Sequence, residues 1–425
     1  MTGAQTVRAA ARSARGLPDL ILIATVVFAS LPLSFTLDMR VGSIPVMNGF
    51  VLATVIATSF SYVTKYRGNR FVVIFYALAG VFMTAIMLAT WDESPFEQRT
   101  ALQDISCYCG LPIGVALAQL KGKDEFHSLL KKCYVAICIT FAFSLVLLLT
   151  GYVESIGSGG REIDGAMFTS SFLIAMAFPC LWSRARLNRP LEKGIAFSGM
   201  ALTIFFAVIS ATRSVFITVV ISLICTAVVE IKRNPRNLIW MGAASLLLAG
   251  AAISGTVPGL AALQQTQLGD RLAATDYAKE DRFEELTSML DSMGPAEWAR
   301  GAGFGSGFPS PIPEGGIATV PHIGITTVLY KGGAPAMIFL ILGPCLLCLW
   351  KLSFAGRSPA DPFLAGVAVY VVQASLSGGW AFLPLTLLGS FLYLGLEKRN
   401  AASTKPLRII QVRELVTSPS GGANS

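Results

Sequence analysis

The stretch that decides the fold is Cys133-YVAICITFAFSLVLLLTG-Tyr152, which carries no charged side chain and directly follows Lys131 and Lys132. A transmembrane α-helix needs about 20 mostly apolar residues, because each residue adds about 1.5 Å across a hydrocarbon core about 30 Å thick. This stretch has that length and that composition. We therefore predict that it crosses a lipid bilayer.

Similar runs recur along the whole chain, which is 53% hydrophobic and 14% charged, with a mean hydropathy of +0.63. This balance is far from that of a soluble domain, and it predicts about twelve spans. They are Leu17–Leu37, Ser43–Val63, Phe71–Thr90, Ala101–Leu120, Cys133–Tyr152, Ala166–Trp182, Gly194–Ser210, Ser214–Ile231, Leu238–Val257, Gly333–Trp350, Phe363–Gly378 and Trp380–Leu396.

The basic residues explain the net charge of +8 without a nucleic-acid partner, because they stand at alternate loops instead of forming one patch. They precede the first span and follow each even-numbered one. By the positive-inside rule, both termini are cytoplasmic, and the even number of spans agrees with this. The predicted fold class is therefore an all-α, polytopic membrane bundle.

One connection is much longer than the others and divides the chain. We predict helices one to nine over residues 1–257, a large loop over 258–321, helices ten to twelve over 322–396, and a disordered cytoplasmic tail over 397–425. A loop of this size is more often functional than a passive connector. The same charge rule places it on the periplasmic side.

Two parts of this loop have distinct patterns. Residues 276–293 carry Tyr277, Phe283, Leu286 and Leu290 at helical spacing, which predicts an amphipathic helix. Residues 301–307 then alternate glycine with other residues. They follow no predicted strand and lack the Lys-Ser/Thr ending of a nucleotide-binding loop, so we expect a tight-turning segment that closes over the bundle.

The candidate functional residues are charged groups at the periplasmic side. Arg213 lies between two apolar helices, where it either binds an anion or snorkels to lipid headgroups. Arg282 lies among acidic neighbours, so a salt-bridged, solvated face is its alternative interpretation. His322 follows the long loop, and a lone histidine is structurally ordinary there. Arg161 lies in a second, smaller external loop.

The order of these residues resembles the superfamily of O-antigen ligases and Wzy polysaccharide polymerases. The matching motifs are Ser210-Ala-Thr-Arg-Ser214, Glu280-Asp-Arg282-Phe, Gly301-Ala-Gly-Phe-Gly-Ser-Gly307 and the His322 to Gly333 spacing. The resemblance covers about half of the chain. It departs from the ligase pattern at Ile323, Ala336 and Lys331, so a polymerase of exopolysaccharide or O-antigen repeat units fits at least as well.

The resemblance implies a metal-independent transferase of the bacterial inner membrane, without a cofactor. Its donor is a glycan on undecaprenyl diphosphate, and its acceptor is another glycan or lipid A core; other polysaccharide assembly proteins are expected partners. Arg213 and Arg282, with Arg161 as a third candidate, would bind the diphosphate. His322 would accept the proton of the acceptor hydroxyl or bind the diphosphate as a cation.

Two other classes of function stay open. One is a lipid-linked oligosaccharide flippase or secondary transporter, for which Asp104 is the main ionisable residue within a predicted span. The other is a membrane scaffold without enzymatic activity. Substitution of Arg213, Arg282 and His322 separates these hypotheses, because only a transferase loses product while precursor accumulates at the outer face.

Overall fold

The structure is mostly helical, with two short strand pairs. The computed structural model describes residues 3–29, 31, 40–41, 44–65, 78, 101, 104–105, 107–150, 177, 179–182, 190–192, 194–195, 198, 213–233, 281–311, 316–319, 323–354, 361–376 and 382–397. Within these ranges, antiparallel pairs join β1 to β2 and β3 to β4. Each strand has two residues, so the described chain agrees with the predicted helical class.

The elements follow one another along the described chain as mainly apolar helices. They are α1 (Gly3–Ala29), β1 (Arg40–Val41), β2 (Ile44–Pro45), α2 (Val46–Lys65), α3 (Gly110–Leu149), α4 (Arg213–Arg233), α5 (Asp281–Asp291), α6 (Pro295–Arg300), β3 (Phe308–Pro309), β4 (Ile317–Ala318), α7 (Gly324–Met337), a π-helical turn (Ile338–Leu342), α8 (Gly343–Phe354), α9 (Pro362–Leu376) and α10 (Phe382–Leu396).

By length and composition, two helical stretches are long and apolar enough to cross a membrane, Gly110–Phe143 with 34 residues and Gly324–Leu347 with 24. The first is interrupted at Gly122 and the second at Gly333. Their neighbours are shorter apolar helices. The outward faces of several helices carry large apolar side chains at helical spacing, as Leu52, Ile56 and Phe60 do on α2. Continuous apolar stripes of this kind are unusual on a surface that faces water and typical of one that faces lipid.

Helix α3 is interrupted at Gly122, whose φ of 68° and ψ of 177° are not helical. A Cβ at Gly114 would lie 3.0 Å from the Ser390 amide nitrogen, and the rings of Phe126 and Phe391 are 6.3 Å apart. An unbroken helix would separate residues 114 and 126 by about 18 Å, whereas they contact adjacent residues of α10. The chain therefore turns back at Gly122, between the predicted spans Ala101–Leu120 and Cys133–Tyr152.

Helix α10 packs closely against the first arm of α3 because small residues line the contact. A Cβ added to Gly110, Gly114 or Gly389 would overlap backbone atoms of the facing helix. The hydroxyl of Ser390 donates a hydrogen bond to the Gly114 carbonyl oxygen across this contact, at 2.8 Å. Small residues allow such approach in apolar surroundings. This packing fixes α10 in the centre of the bundle.

The Gly122 turn is flanked by lysines that tie three parts of the chain together. Lys121 pairs with Asp19 of α1, and Lys123 pairs with Asp361, which directly precedes α9. We call this the Gly122 end of the bundle. Asp104 lies about 26 Å away along the helical direction, since 17 residues separate it from Lys121. That opposite side is the Asp104 end.

Some predicted boundaries differ from the observed ones. The tenth span was expected to begin at Gly333, but α7 begins at Gly324. The helical geometry is interrupted at Gly333, so the predicted start coincides with this break inside α7. The predicted spans Phe71–Thr90 and Leu238–Val257, and the tail after Glu397, lie outside the described residues apart from isolated positions.

Candidate functional site

Helix α5, the Gly-rich segment and helix α7 meet at the Asp104 end. Helix α7 starts at Gly324, two residues after His322, with Ile323 as its N-cap. Most of its residues are buried, including Tyr330, Lys331 and Gly333. A buried lysine in an apolar helix requires a partner, because a desolvated charge without one is strongly unfavourable.

The Gly-rich segment, Gly301–Gly307, lies directly across α7. The amide of Ala302 donates to the Tyr330 carbonyl oxygen at 2.7 Å, and that of Gly303 donates to the Lys331 carbonyl oxygen at 3.1 Å. These carbonyl groups accept from another segment close to the point where the helical geometry of α7 breaks, at Gly333. The segment therefore completes the hydrogen bonding of an interrupted helix.

Glycine is required on both sides of this contact. Gly301 and Gly333 have φ values of 79° and 70°, in the left-handed region that side chains disfavour. A Cβ on Gly333 would lie 2.7 Å from the Gly301 amide nitrogen, and one on Gly301 would overlap the Lys331 carbonyl group. The two glycines thus allow the Gly-rich segment and α7 to touch backbone to backbone.

Lys331 and Asp104 hold the other side of the segment. The Lys331 Nζ donates to the Ser306 carbonyl oxygen at 2.6 Å and lies 3.1 Å from Asp104 Oδ2. The same carboxylate oxygen accepts the amide of Gly305 at 2.9 Å. The lysine side chain is 1% exposed and the aspartate side chain 13%. A charged pair is therefore almost fully enclosed between α7, the Gly-rich segment and the residues before α3.

Aromatic rings close the segment further. Phe304 is buried, and its ring lies 5.1 Å from that of Tyr108, next to Asp104. The Tyr330 hydroxyl donates to the Gly307 carbonyl oxygen at 2.8 Å, and its ring meets that of Phe308 edge to face at 5.3 Å. Such contacts exclude water from the ion pair.

Helix α5 packs onto this unit through one apolar cluster. The cluster consists of Met289, Met293, Phe308, Leu329 and Tyr330. Beside it the buried Glu285 accepts a hydrogen bond from the Ser310 hydroxyl at 3.0 Å. Of the residues predicted to form the apolar face, Phe283 is instead 51% exposed, because the face turned inward runs through Glu285 and Met289.

The amides of the Gly-rich segment are largely used inside the protein. The Gly301 amide donates to the Glu297 carbonyl oxygen, and those of Ala302, Gly303 and Gly305 have the partners named above. Backbone amides that cradle a phosphate must point at it freely. The segment thus closes over the bundle, as expected, and it holds a carboxylate of its own chain.

The sequence-predicted site residues are only partly described. Arg213 is the first residue of α4, and Arg282 is the second residue of α5; the structure describes their backbone positions only. Arg161 and His322 lie outside the described residues. The structure brings the helix of Arg282, the Gly-rich segment and the helix that follows His322 into one packed unit.

The Asp104–Lys331 pair is the feature that the sequence interpretation missed. Both residues had been singled out separately, Asp104 as an ionisable group in a span and Lys331 as an unusual charge before Gly333. A charge in an apolar segment predicts a partner of opposite charge elsewhere in the chain, because a buried charge without a partner is unfavourable. Their separation of 227 residues conceals the pairing.

Comparisons with protein-family models, curated proteins and solved structures found no match for this chain. The resemblance to the ligase and polymerase superfamily therefore stands on the quoted motif residues.

Proposed function

We propose that this chain is a membrane-embedded glycosyltransferase that polymerises glycan repeat units carried on undecaprenyl diphosphate, at the periplasmic face of a bacterial inner membrane. The observation that carries the proposal is the packed unit at the Asp104 end. It joins three segments that a transferase of this superfamily would need together, and they are distant in the sequence.

The first support is the position of the motif-bearing segments. Arg282 is the second residue of α5, whose Met289 packs in one cluster with Leu329 and Tyr330 of α7. His322 precedes α7 by two residues, and the Gly-rich segment bonds to α7 directly. The helix that carries Arg282 and the helix that follows His322 therefore pack in one unit, which supports a role for these two residues at a common site.

The second support is chemical. In the proposed reaction the hydroxyl oxygen of the acceptor sugar bonds to the anomeric carbon of the donor, and the bond from that carbon to the phosphate oxygen breaks. The electron pair leaves with undecaprenyl diphosphate, where Arg213 and Arg282, assisted by Arg161, stabilise the charge. The hydroxyl proton passes to His322 as general base; in the alternative role, His322 binds the diphosphate as a cation.

A ligase that transfers the glycan to lipid A core uses the same chemistry with another acceptor. The departures at Ile323 and Ala336 from the ligase pattern favour the polymerase. A flippase or transporter is favoured less, because Asp104, its main candidate, is engaged with Lys331 and Gly305 in closing the Gly-rich segment.

The proposal is tested by single substitution of Arg282→Ala and His322→Ala in the producing cell, with analysis of polymer length and of lipid-linked precursor in each leaflet. We expect loss of polymer while precursor accumulates in the outer leaflet. Arg300→Ala is the matched control, because Arg300 is an exposed arginine of the same unit at the end of α6. Precursor retained in the inner leaflet would indicate a flippase, and normal polymer in both variants would indicate a scaffold.

A further inference from the structure

The Asp104–Lys331 pair joins α7, the residues before α3 and the Gly-rich segment through buried charges, in addition to the backbone bonds and ring contacts described above. Lys331 belongs to α7, Asp104 precedes α3, and both bind the backbone of the Gly-rich segment, at Ser306 and Gly305 respectively. Each charged group thus bonds both to its partner and to the segment. Removal of either charged group therefore removes the ion pair and also one bond to the Gly-rich segment.

From this geometry we infer that Asp104 and Lys331 are a positioning pair that holds the Gly-rich segment closed on α7. The pair acts as a unit, and its role is distinct from direct contact with a substrate. The consequence for catalysis rests on the proposed function, whereas the holding of the segment does not.

Burial decides how the pair should respond to substitution. With Lys331 at 1% exposure and Asp104 at 13%, loss of one partner leaves the other as a desolvated charge. Breaking a buried pair from one side is strongly destabilising, while neutral replacement of both partners is often tolerated. A positioning pair should therefore show strong coupling between its two members.

A neutral pair with similar bonding capacity is available. In Lys331→Gln an amide donor remains for the Ser306 carbonyl oxygen, and in Asp104→Asn an amide oxygen remains for the Gly305 amide. The double variant D104N/K331Q keeps these hydrogen-bonding groups and carries no charge. It therefore tests whether the charges themselves are required when neutral hydrogen-bonding groups hold the Gly-rich segment closed.

The rate of trypsin cleavage measures whether the Gly-rich segment is closed on α7, and it needs no assay of activity. Arg300 is exposed, but the adjacent Gly301 is buried and its amide bonds to Glu297, so cleavage between them requires the Gly-rich segment to lift from α7. Proteolysis of this kind follows the population of the open form. The measurement is the rate of cleavage after Arg300, identified by mass spectrometry, in the full chain in lipid nanodiscs.

We expect each single variant, D104N and K331Q, to raise this rate by at least about tenfold, and the double variant to return within about threefold of wild type. Cleavage after Lys132, an exposed residue within the second arm of α3, is the internal control and should not change. Equal rates after Arg300 in all variants would overturn the inference. So would a double variant as fast as the singles, or a parallel increase after Lys132, which would indicate general unfolding.

The effect on activity is measured on the same preparations with a lipid-linked glycan substrate. We expect kcat to fall at least about tenfold in each single variant and to recover in the double variant, with KM changed by less than about threefold. Recovery of closure without recovery of kcat would overturn the positioning role and assign the charges themselves to the reaction. Absence of turnover in the wild type would contradict the proposed function and leave the proteolysis result to decide the inference.

Discussion

Lysine–aspartate pairs lie at both ends of the first arm of α3, which runs from the residues near Asp104 to the break at Gly122, yet the pairs differ in what surrounds them. At the Gly122 end, the Lys123 Nζ lies 2.7 Å from Asp361 Oδ2, and each side chain is 25% exposed. At the Asp104 end, the pair with Lys331 is longer, at 3.1 Å, but enclosed. Water screens the first pair and is excluded from the second, so burial and not distance decides how much each end depends on its charges.

The charges at the two ends also differ in what they indicate when only the sequence is known. The lysines at the Gly122 end belong to the alternating pattern of basic loops that predicts membrane topology. Their pairs with Asp19 and Asp361 give little further information about a functional site. The charges at the Asp104 end break the apolar pattern of their segments. Charges that interrupt an apolar segment thus indicate the end of the bundle at which the candidate site lies.

The largest expected effect compares the two ends of a single helix. Arg213 begins α4 and Arg233 ends it. If the diphosphate is bound at the Asp104 end, Arg213→Ala should reduce the rate of glycan transfer about 10²- to 10³-fold, since a donor to developing charge commonly supplies about 3–4 kcal/mol. Arg233→Ala should change the rate by less than about twofold. Equal losses in both variants would remove the distinction between the ends.

A second comparison uses glycines with similar backbone angles. Gly301 and Gly122 have φ values of 79° and 68°, but only at Gly301 would a Cβ meet the backbone of another element. Gly122→Ala should cost about 1–2 kcal/mol, from left-handed strain alone. Gly301→Ala should cost more, by at least about 1 kcal/mol, because α7 must move as well. Thermal unfolding in detergent measures both, and equal midpoints would contradict the close contact.

A third comparison lies within the unit at the Asp104 end. Glu285 is 1% exposed and bonds to Ser310, whereas the adjacent Glu284 is exposed. Glu285→Ala should lower the free energy of unfolding by about 1–3 kcal/mol, because it leaves a buried hydroxyl short of its acceptor and opens a cavity. Glu284→Ala should change it by less than about 0.5 kcal/mol. Chemical denaturation of the purified protein measures both changes in the free energy of unfolding. A larger loss in Glu284→Ala than in Glu285→Ala would contradict the assignment of the inward face of α5.

The smallest effects are expected at the Gly122 end. Asp361 caps α9 by accepting the Phe363 amide at 3.1 Å, in addition to its pair with Lys123. Asp361→Ala should cost about 1 kcal/mol through loss of the cap. Lys123→Met should cost less than about 1 kcal/mol, because the pair is partly exposed. The thermal midpoints of the two variants give the order, and a loss in Lys123→Met as large as that in D104N would break the comparison between the ends.

Local patterns in the sequence were enough to predict the helical class, the break near Gly122 and the closure of the Gly-rich segment. Apolar runs and glycine spacing are local, so they need no partner to be recognised. On α5, the predicted face is confirmed at Leu286 and Leu290, which pack on the apolar cluster, but Phe283 is exposed. The buried Glu285, which bonds to Ser310, was placed with the solvated face because its partner is distant in the sequence. The roles of Arg213, Arg282 and His322 stay predictions.

The most direct test of the transferase hypothesis uses purified chain in liposomes with a single-repeat oligosaccharide on undecaprenyl diphosphate as donor and acceptor. Mass spectrometry of the product should show glycans of two or more repeats, with one released undecaprenyl diphosphate for each bond formed. Wild type and Lys123→Met should make this product alike, and His322→Ala should make it at least about 100-fold more slowly. No extension by the wild type, either with this acceptor or with lipid A core, would contradict the account.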